Sequence, residues 1–532
     1  MSRVFLRVRS TVRNDYYICS MTAIKRLAGQ TAIYGIPSVL GRVLSYLLVP
    51  LYTAVFEPGE YGTVGVFYAY TSFLMVVLTY GMETTFFRFN QQEQDKESVF
   101  STGMVSLIIT SILFLVVVLS FSGDVARWID YSEHPEYVRW FACILAFDAL
   151  SAIPFARLRA QNRPVRFAWV KMINIAINIL LNLFFLVYCP FILKHHNNSF
   201  IEHFISWVYR PEWGIEYIFI SNIAASFITL IMLLPQIYQV RWKINPDLWK
   251  KMLFYTFPLL FAGMAGIVNE TFDRLLLRYL LPEGISTYQV GIYSACYKIS
   301  ILMTIFIQAY KYAAEPFFFA HAKEKDSRVV YARIMDYFII IVSMIFLGTM
   351  LYLDDFILPF MVRNKEYWVG RGVIPVLLMA NLFLGVYYNL SIWYKLTGKT
   401  SWGAWLSLIG AVITLVLNFW WIPLSSDHLI YSYYGSAWAT FICYGAMMIL
   451  SYLIGQKYFP VKYNLIKFFG YLGLSVLLYG ISTIINPETF IVRVGFHTFL
   501  LFIFLAITYL FEKPRLTLPE KRGKNQRGKT LR

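Results

Sequence analysis

AIYGIPSVLGRVLSYLLVPLYTAVF, residues 32–56, carries a single charge, Arg42, near its middle. A run of this length can cross a hydrocarbon core of roughly 30 Å as a helix. An arginine inside such a helix costs several kcal/mol unless it faces water or a partner. The arrangement recurs. Lys171, Arg274, Lys298, Lys311 and Arg333 lie in or at the edges of other apolar stretches, opposed by Asp148, Glu270, Asp273 and Asp336. Surplus positive charge within a membrane points to a path for something anionic.

Outward from that stretch, the whole chain reads the same way. It is 58% hydrophobic and 14% charged, with a mean hydropathy of +0.56 over 532 residues. A soluble chain of this size needs far more polar residues to cover its surface. The expected spans are 31–55, 60–82, 99–121, 140–156, 168–192, 217–238, 252–277, 288–312, 331–353, 373–392, 403–422, 433–455, 465–485 and 491–511. No polar segment between them is long enough to fold separately. The fold class is an all-α polytopic membrane protein of about 14 transmembrane helices.

An even span count puts both termini on one side. With that side cytoplasmic, lysines and arginines favour the inner segments by about four to one, as the positive-inside rule requires. The net charge of +17 is therefore mostly topological, and the basic tail, 512–532, reads as contact with anionic lipid. No folded basic domain is present to bind nucleic acid. Cys19, Cys143, Cys189, Cys296 and Cys443 show no CxxC pairing and read as packing residues. Residues 1–24 form a basic arm; within it Met21 is a candidate start, which would make residues 1–20 dispensable.

The chain also repeats itself. Gly35-Ile36-Pro37, Glu57-Pro58-Gly59 and VGVFYAY (64–70) are echoed by Phe257-Pro258, Pro282-Glu283-Gly284 and VGIYSAC (290–296). Glu83 before the aromatic run 86–89 is echoed by Glu315 before 316–319. The copies lie six spans apart, so they enter the membrane in the same direction, making a parallel repeat of two bundles. The expected domains are 25–240 and 241–457, two pseudo-symmetric six-helix bundles, followed by an appended pair of helices in 458–511.

KRLAGQTAIYGIPSVLGRVLSYLLVPLYT with EYGTVGVFYAY resembles the start of bacterial polysaccharide-export proteins, and VGIYSACYKISILMTIFIQAYKYAAEPFFF resembles the opening of their second half. These are lipid-linked oligosaccharide flippases of the multidrug/oligosaccharidyl-lipid/polysaccharide (MOP) exporters, relatives of the multidrug and toxin extrusion (MATE) transporters and the lipid II flippases. The resemblance implies two MATE-like bundles around a cavity that opens alternately to each side of the bacterial inner membrane. The substrate implied is an undecaprenyl-pyrophosphate-type lipid-linked oligosaccharide for O-antigen, capsule or exopolysaccharide, with a glycan polymerase and other assembly proteins as partners.

A pyrophosphate head group needs cations to replace its hydration, and Arg and Lys supply a planar fork and a point charge respectively. Arg42, Lys298 and Arg274 are the cavity candidates. Glu270, Asp273 and Asp148 are candidates for coupling to Na⁺ or H⁺; the alternatives are an ion-pair knot that neutralises Arg274 and an Asp148–Arg42 pair. Asn174, Asn178 and Asn182 recur at i, i+4 and i+8, a polar stripe for the cavity or for helix contacts. No metal set, phosphate loop or nucleophile elbow occurs, so neither an enzyme nor a resident cofactor or metal is expected. The competing expectation is a cation-coupled MATE-type drug exporter, whose cavity would be dominated by acids.

Overall fold

The computed structural model describes residues 40–516 except 42, 45, 196–199, 323–325 and 425–431. Arg42, the N-terminal arm and most of the basic tail thus lie outside the described residues. Among those described, the structure is helical with no strand. Thirteen helices are long and apolar enough to cross a membrane. The first expected span falls only partly within the described residues, ending in α1, Val49–Val55.

The helices that follow begin where the sequence offers caps. α2 (Pro58–Thr79) starts with a capping box between Glu57 and Glu60 and a proline in its first turn. α3 (Met82–Gln92) follows a break at Tyr80 and Gly81, both at positive φ. Asp95 caps α4 (Lys96–Ser120), accepting from the Ser98 amide at 3.1 Å. α5 (Pro135–Ala160), α6 (Pro164–Leu183) and α7 (Glu216–Ile237) complete the first half. Asn245 caps α8 (Pro246–Leu280), which contains Pro258.

α9 (Ser286–His321) has 36 residues, about 54 Å at 1.5 Å per residue. It therefore runs well past the expected boundary at 312 and takes Glu315 with it, where Lys395 pairs at 2.8 Å. The second half continues through α10 (Ser327–Leu351), α11 (Val373–Leu390), α12 (Ser401–Leu424) and α13 (Tyr433–Tyr458). Last come α14 (Leu465–Ile484) and α15 (Phe490–Leu516).

Two compact units result: residues 1–324 with 360–460, and 325–359 with 461–532. In the first, α4, α6 and α7 pack around α5, while α8, α12, α13, α11 and α9 form a second group. The first group is cored by aromatic rings: Phe67 stacks on Phe141 at 4.9 Å, and Phe141 meets Phe219 at 4.8 Å. α2 and α9, the paired repeats of the sequence, cross at glycines. A Cβ on Gly62 would fall 1.8 Å from the Thr287 carbonyl oxygen, and one on Gly291 equally close to that of Pro58. Only Gly permits backbones to approach this closely.

The second unit groups α10 with α14 and α15. Two charged clusters bind these helices at opposite ends. Arg493 Nε donates to Asp355 at 2.8 Å and His497 lies 3.4 Å from the same carboxylate. Lys467 meets Glu512 and, at 3.5 Å, Asp336. Asp355 follows a second acid, Asp354, yet its side chain is 1% exposed. Its partners lie some 140 residues away, beyond the reach of any local pattern.

Candidate functional site

One cavity in the first unit draws on both sequence repeats. Its volume is about 420 Å³, and its walls come from the end of the first span, α2, α6, α7, α8 and α9. Arg274, Lys298, Glu270, Asn174 and Asn178, all singled out in the sequence, line it together. Arg42 lies outside the described residues.

Arg274 owes its position to the residue before it. Nη1 reaches the Asp273 carboxylate at 3.2 Å and the Glu270 carbonyl at 3.0 Å, and the guanidinium lies 4.3 Å from the Tyr297 ring centre. Asp273 is held from behind by Tyr293, whose hydroxyl donates at 2.5 Å. The intrahelical ion-pair knot of the sequence is therefore present, but Asp273 closes it. The Glu270 carboxylate makes no ion pair among the described residues and is exposed. Lys298, half-buried, has no carboxylate partner there either and sits 5.5 Å from the Tyr46 ring.

The asparagine stripe divides between two tasks. Asn174 and Asn178 line the cavity, with Asn174 donating to Thr229 at 2.8 Å. Asn182 is buried behind them, accepting from the Tyr52 hydroxyl at 3.0 Å and so tying the first span to α6. Asp148 is not among the lining residues. Its carboxylate bonds Ser226 and feels the charge of Lys171, but forms no ion pair within 4.0 Å among the described residues. Lys311 and Arg333 are exposed, as snorkelling side chains are.

Several lining residues carry no sequence signal of their own. Tyr46, Tyr52, Tyr61, Tyr68 and Asn222 contribute hydroxyls, ring faces and an amide, with Asn222 donating to Tyr68 at 2.5 Å. In a chain with 18% aromatic residues a tyrosine is unremarkable until it is placed. Among the described residues the lining thus carries two cations and one acid, and Asp273 behind Arg274 offsets the excess. Chemically, the cavity offers a fork, a point charge, amides and aromatic faces.

The two halves also meet at both ends of this wall. At the end formed by the 56–58 and 281–286 turns, Gly62 and Gly291 cross, Tyr70 and Tyr279 join hydroxyls, and Tyr367 donates to the Phe56 carbonyl at 2.9 Å. At the other end Thr85 and Thr256 hydroxyls lie 3.0 Å apart, and Met82, Phe86, Leu248 and Met252 share one buried cluster.

This architecture has known counterparts. The lipid II flippase MurJ in an inward closed conformation superposes with a TM-score of 0.68 at 14% identity, covering 91% of this chain and 99% of that one. An inward-facing MATE-family multidrug resistance transporter of the MOP superfamily gives 0.60 at 12% identity, covering 78% and 94%. A MOP superfamily transporter from Pyrococcus furiosus, described as having a binding pocket of reverse polarity, gives 0.54 at 12%, covering 81% and 95%. The chain is a multi-pass membrane protein with the fold of the MOP exporters. Within it, residues 27–128 match the family described as polysaccharide biosynthesis protein. No curated protein matches the sequence.

Proposed function

We propose that this chain is a flippase that moves an undecaprenyl-pyrophosphate-type lipid-linked oligosaccharide from the cytoplasmic to the outer leaflet of a bacterial inner membrane, by alternating access, for surface polysaccharide assembly. The observation that carries the reading is Arg274 and Lys298 on one cavity wall, among amides and tyrosines. Guanidinium and ammonium bind phosphate oxygens through charge-assisted hydrogen bonds, while amides and ring faces suit sugar hydroxyls and pyranose rings. The match of residues 27–128 to polysaccharide biosynthesis proteins supports the same substrate class.

A cavity of about 420 Å³ holds a head group rather than a long glycan, so transport requires the two halves to part. The polyprenyl tail stays in lipid. Both termini are cytoplasmic in this reading, which places the 56–58 and 281–286 turns on the far side. A glycan polymerase is the expected consumer of the product, and Na⁺ or H⁺ exchange at Glu270 or Asp273 is the expected energy source. The cavity of a cation exporter would be dominated by acids; this one is not, with Arg274 and Lys298 lining it beside Glu270 and with Asp273 balancing Arg274 from behind.

The test is genetic. Cells lacking the gene should accumulate lipid-linked glycan on the cytoplasmic leaflet and lose surface polysaccharide, both restored by the wild-type chain. Unchanged surface glycan with raised sensitivity to cationic dyes would point to drug export instead.

A further inference from the structure

Three arginines among the described residues are buried, and two of them have a carboxylate. Arg157 takes both oxygens of Glu97 at 2.7 Å, and Arg274 has Asp273. The third, Arg278, is 7% exposed and has none among the described residues. Its Nη1 donates to the Ser286 hydroxyl at 2.8 Å and its Nη2 to the Asp130 carbonyl at 3.3 Å, while its guanidinium sits 5.3 Å from the Tyr131 ring. Its Nε is buried without a well-aligned hydrogen-bond partner, and the Tyr131 hydroxyl lies beside the guanidinium and Thr63.

A buried guanidinium held only by neutral oxygens is expensive, because desolvation is not repaid by an opposite charge. Yet the position is not arbitrary. Glu270, Arg274 and Arg278 follow one another at i, i+4 and i+8 on α8 and share a face. Arg278 therefore stands about 6 Å along the helix axis beyond Arg274. That step leads from the cavity into the end where Gly62 crosses Gly291. Its two hydrogen-bond partners come from different halves of the repeat, Asp130 from the first and Ser286 from the second, so parting the halves removes at least one of them.

We propose that Arg278 is a second phosphate-binding station, on the exit side, which receives the anionic head group from Arg274 as this end opens. The proposal rests on the flippase reading above and extends it. In the closed state the Ser286 hydroxyl and the Asp130 carbonyl stand in for phosphate oxygens; in the open state the substrate replaces them. The free Nε is the further donor that a phosphate, with several acceptor oxygens, can use. The competing account is a structural clasp, with a cation in the last turn of α8 answering the helix dipole.

The two accounts separate in nanodisc-reconstituted full-length protein, with farnesyl pyrophosphate as the binding probe, farnesol as its uncharged control, and transport of a lipid-linked oligosaccharide as the rate. Farnesyl pyrophosphate should raise the melting temperature of the wild type, and Arg274→Ala should lose that shift. Arg278→Gln should keep the shift but slow transport by about tenfold, the scale of one charge-assisted contact. Arg278→Lys should recover part of the rate, and Ser286→Ala, which removes a clasp bond and leaves the charge, should stay near wild type. Wild-type transport by Arg278→Gln would overturn the proposal, as would a Ser286→Ala defect as large as that of Arg278→Gln. Should Arg278→Gln fail to fold, the decision passes to Ser286→Ala and Arg278→Lys. If the wild type gains no more from farnesyl pyrophosphate than from farnesol, the flippase reading itself falls.

Discussion

At the scale of single residues, Arg274 and Lys298 are not equivalent. Arg274 is pinned by Asp273 and Tyr297, whereas Lys298 is held by no carboxylate among the described residues. Replacing Arg274 with Ala should cut glycan export by at least about tenfold, since a charge-assisted phosphate contact is lost. Arg274→Lys should retain less activity than Lys298→Arg, because a planar fork is harder to replace than a point charge. Surface glycan per unit of membrane-inserted protein measures both, and a normal level in Arg274→Ala or Lys298→Ala removes that residue from the cavity's function. Intramembrane charge made these residues legible in the sequence, because a buried charge is costly enough to need a reason. The tyrosines of the lining were not legible, and Arg278, read in the sequence as part of an outside loop, became informative only through its neighbours.

At the scale of elements, the repeat words VGVFYAY and VGIYSAC announce paired helices, but not that glycines let them touch. Gly291→Ala would put a methyl 1.8 Å from the Pro58 carbonyl oxygen, so α2 and α9 must move apart. We expect a lower melting temperature and faster thiol labelling of Cys296, now fully buried, in protein retaining that cysteine alone. No change in either would show that the crossing is not a seal. The three-helix unit offers a second test. Arg493→Ala leaves the buried Asp355 carboxylate with only His497 beside it and should cost about 3 kcal/mol of stability. Asp355→Asn combined with Arg493→Gln should recover part of that loss in a thermal melt. The grouping of α10 with α14 and α15 was illegible in the sequence because Lys467 and Arg493 pair with acids more than a hundred residues away.

At the scale of the whole molecule, hydropathy alone was sufficient for the class and for the thirteen spans among the described residues, because the bilayer sets both helix length and polarity. Sidedness rests on lysine and arginine bias. Reporters fused after Gln161, Asn245 and the C-terminus should be cytoplasmic, and one after Asn364 should face the other side; a cytoplasmic signal at Asn364 would invert the proposed direction of transport. Substrate class is the central claim, and one measurement reaches it directly. In proteoliposomes holding the purified chain and a fluorescent undecaprenyl-pyrophosphate-linked oligosaccharide, the account predicts that wild-type protein equilibrates the lipid between leaflets, with Arg274→Ala at the protein-free rate. Wild-type vesicles that leave the lipid in its original leaflet, while moving a lipophilic cation dye, would contradict it.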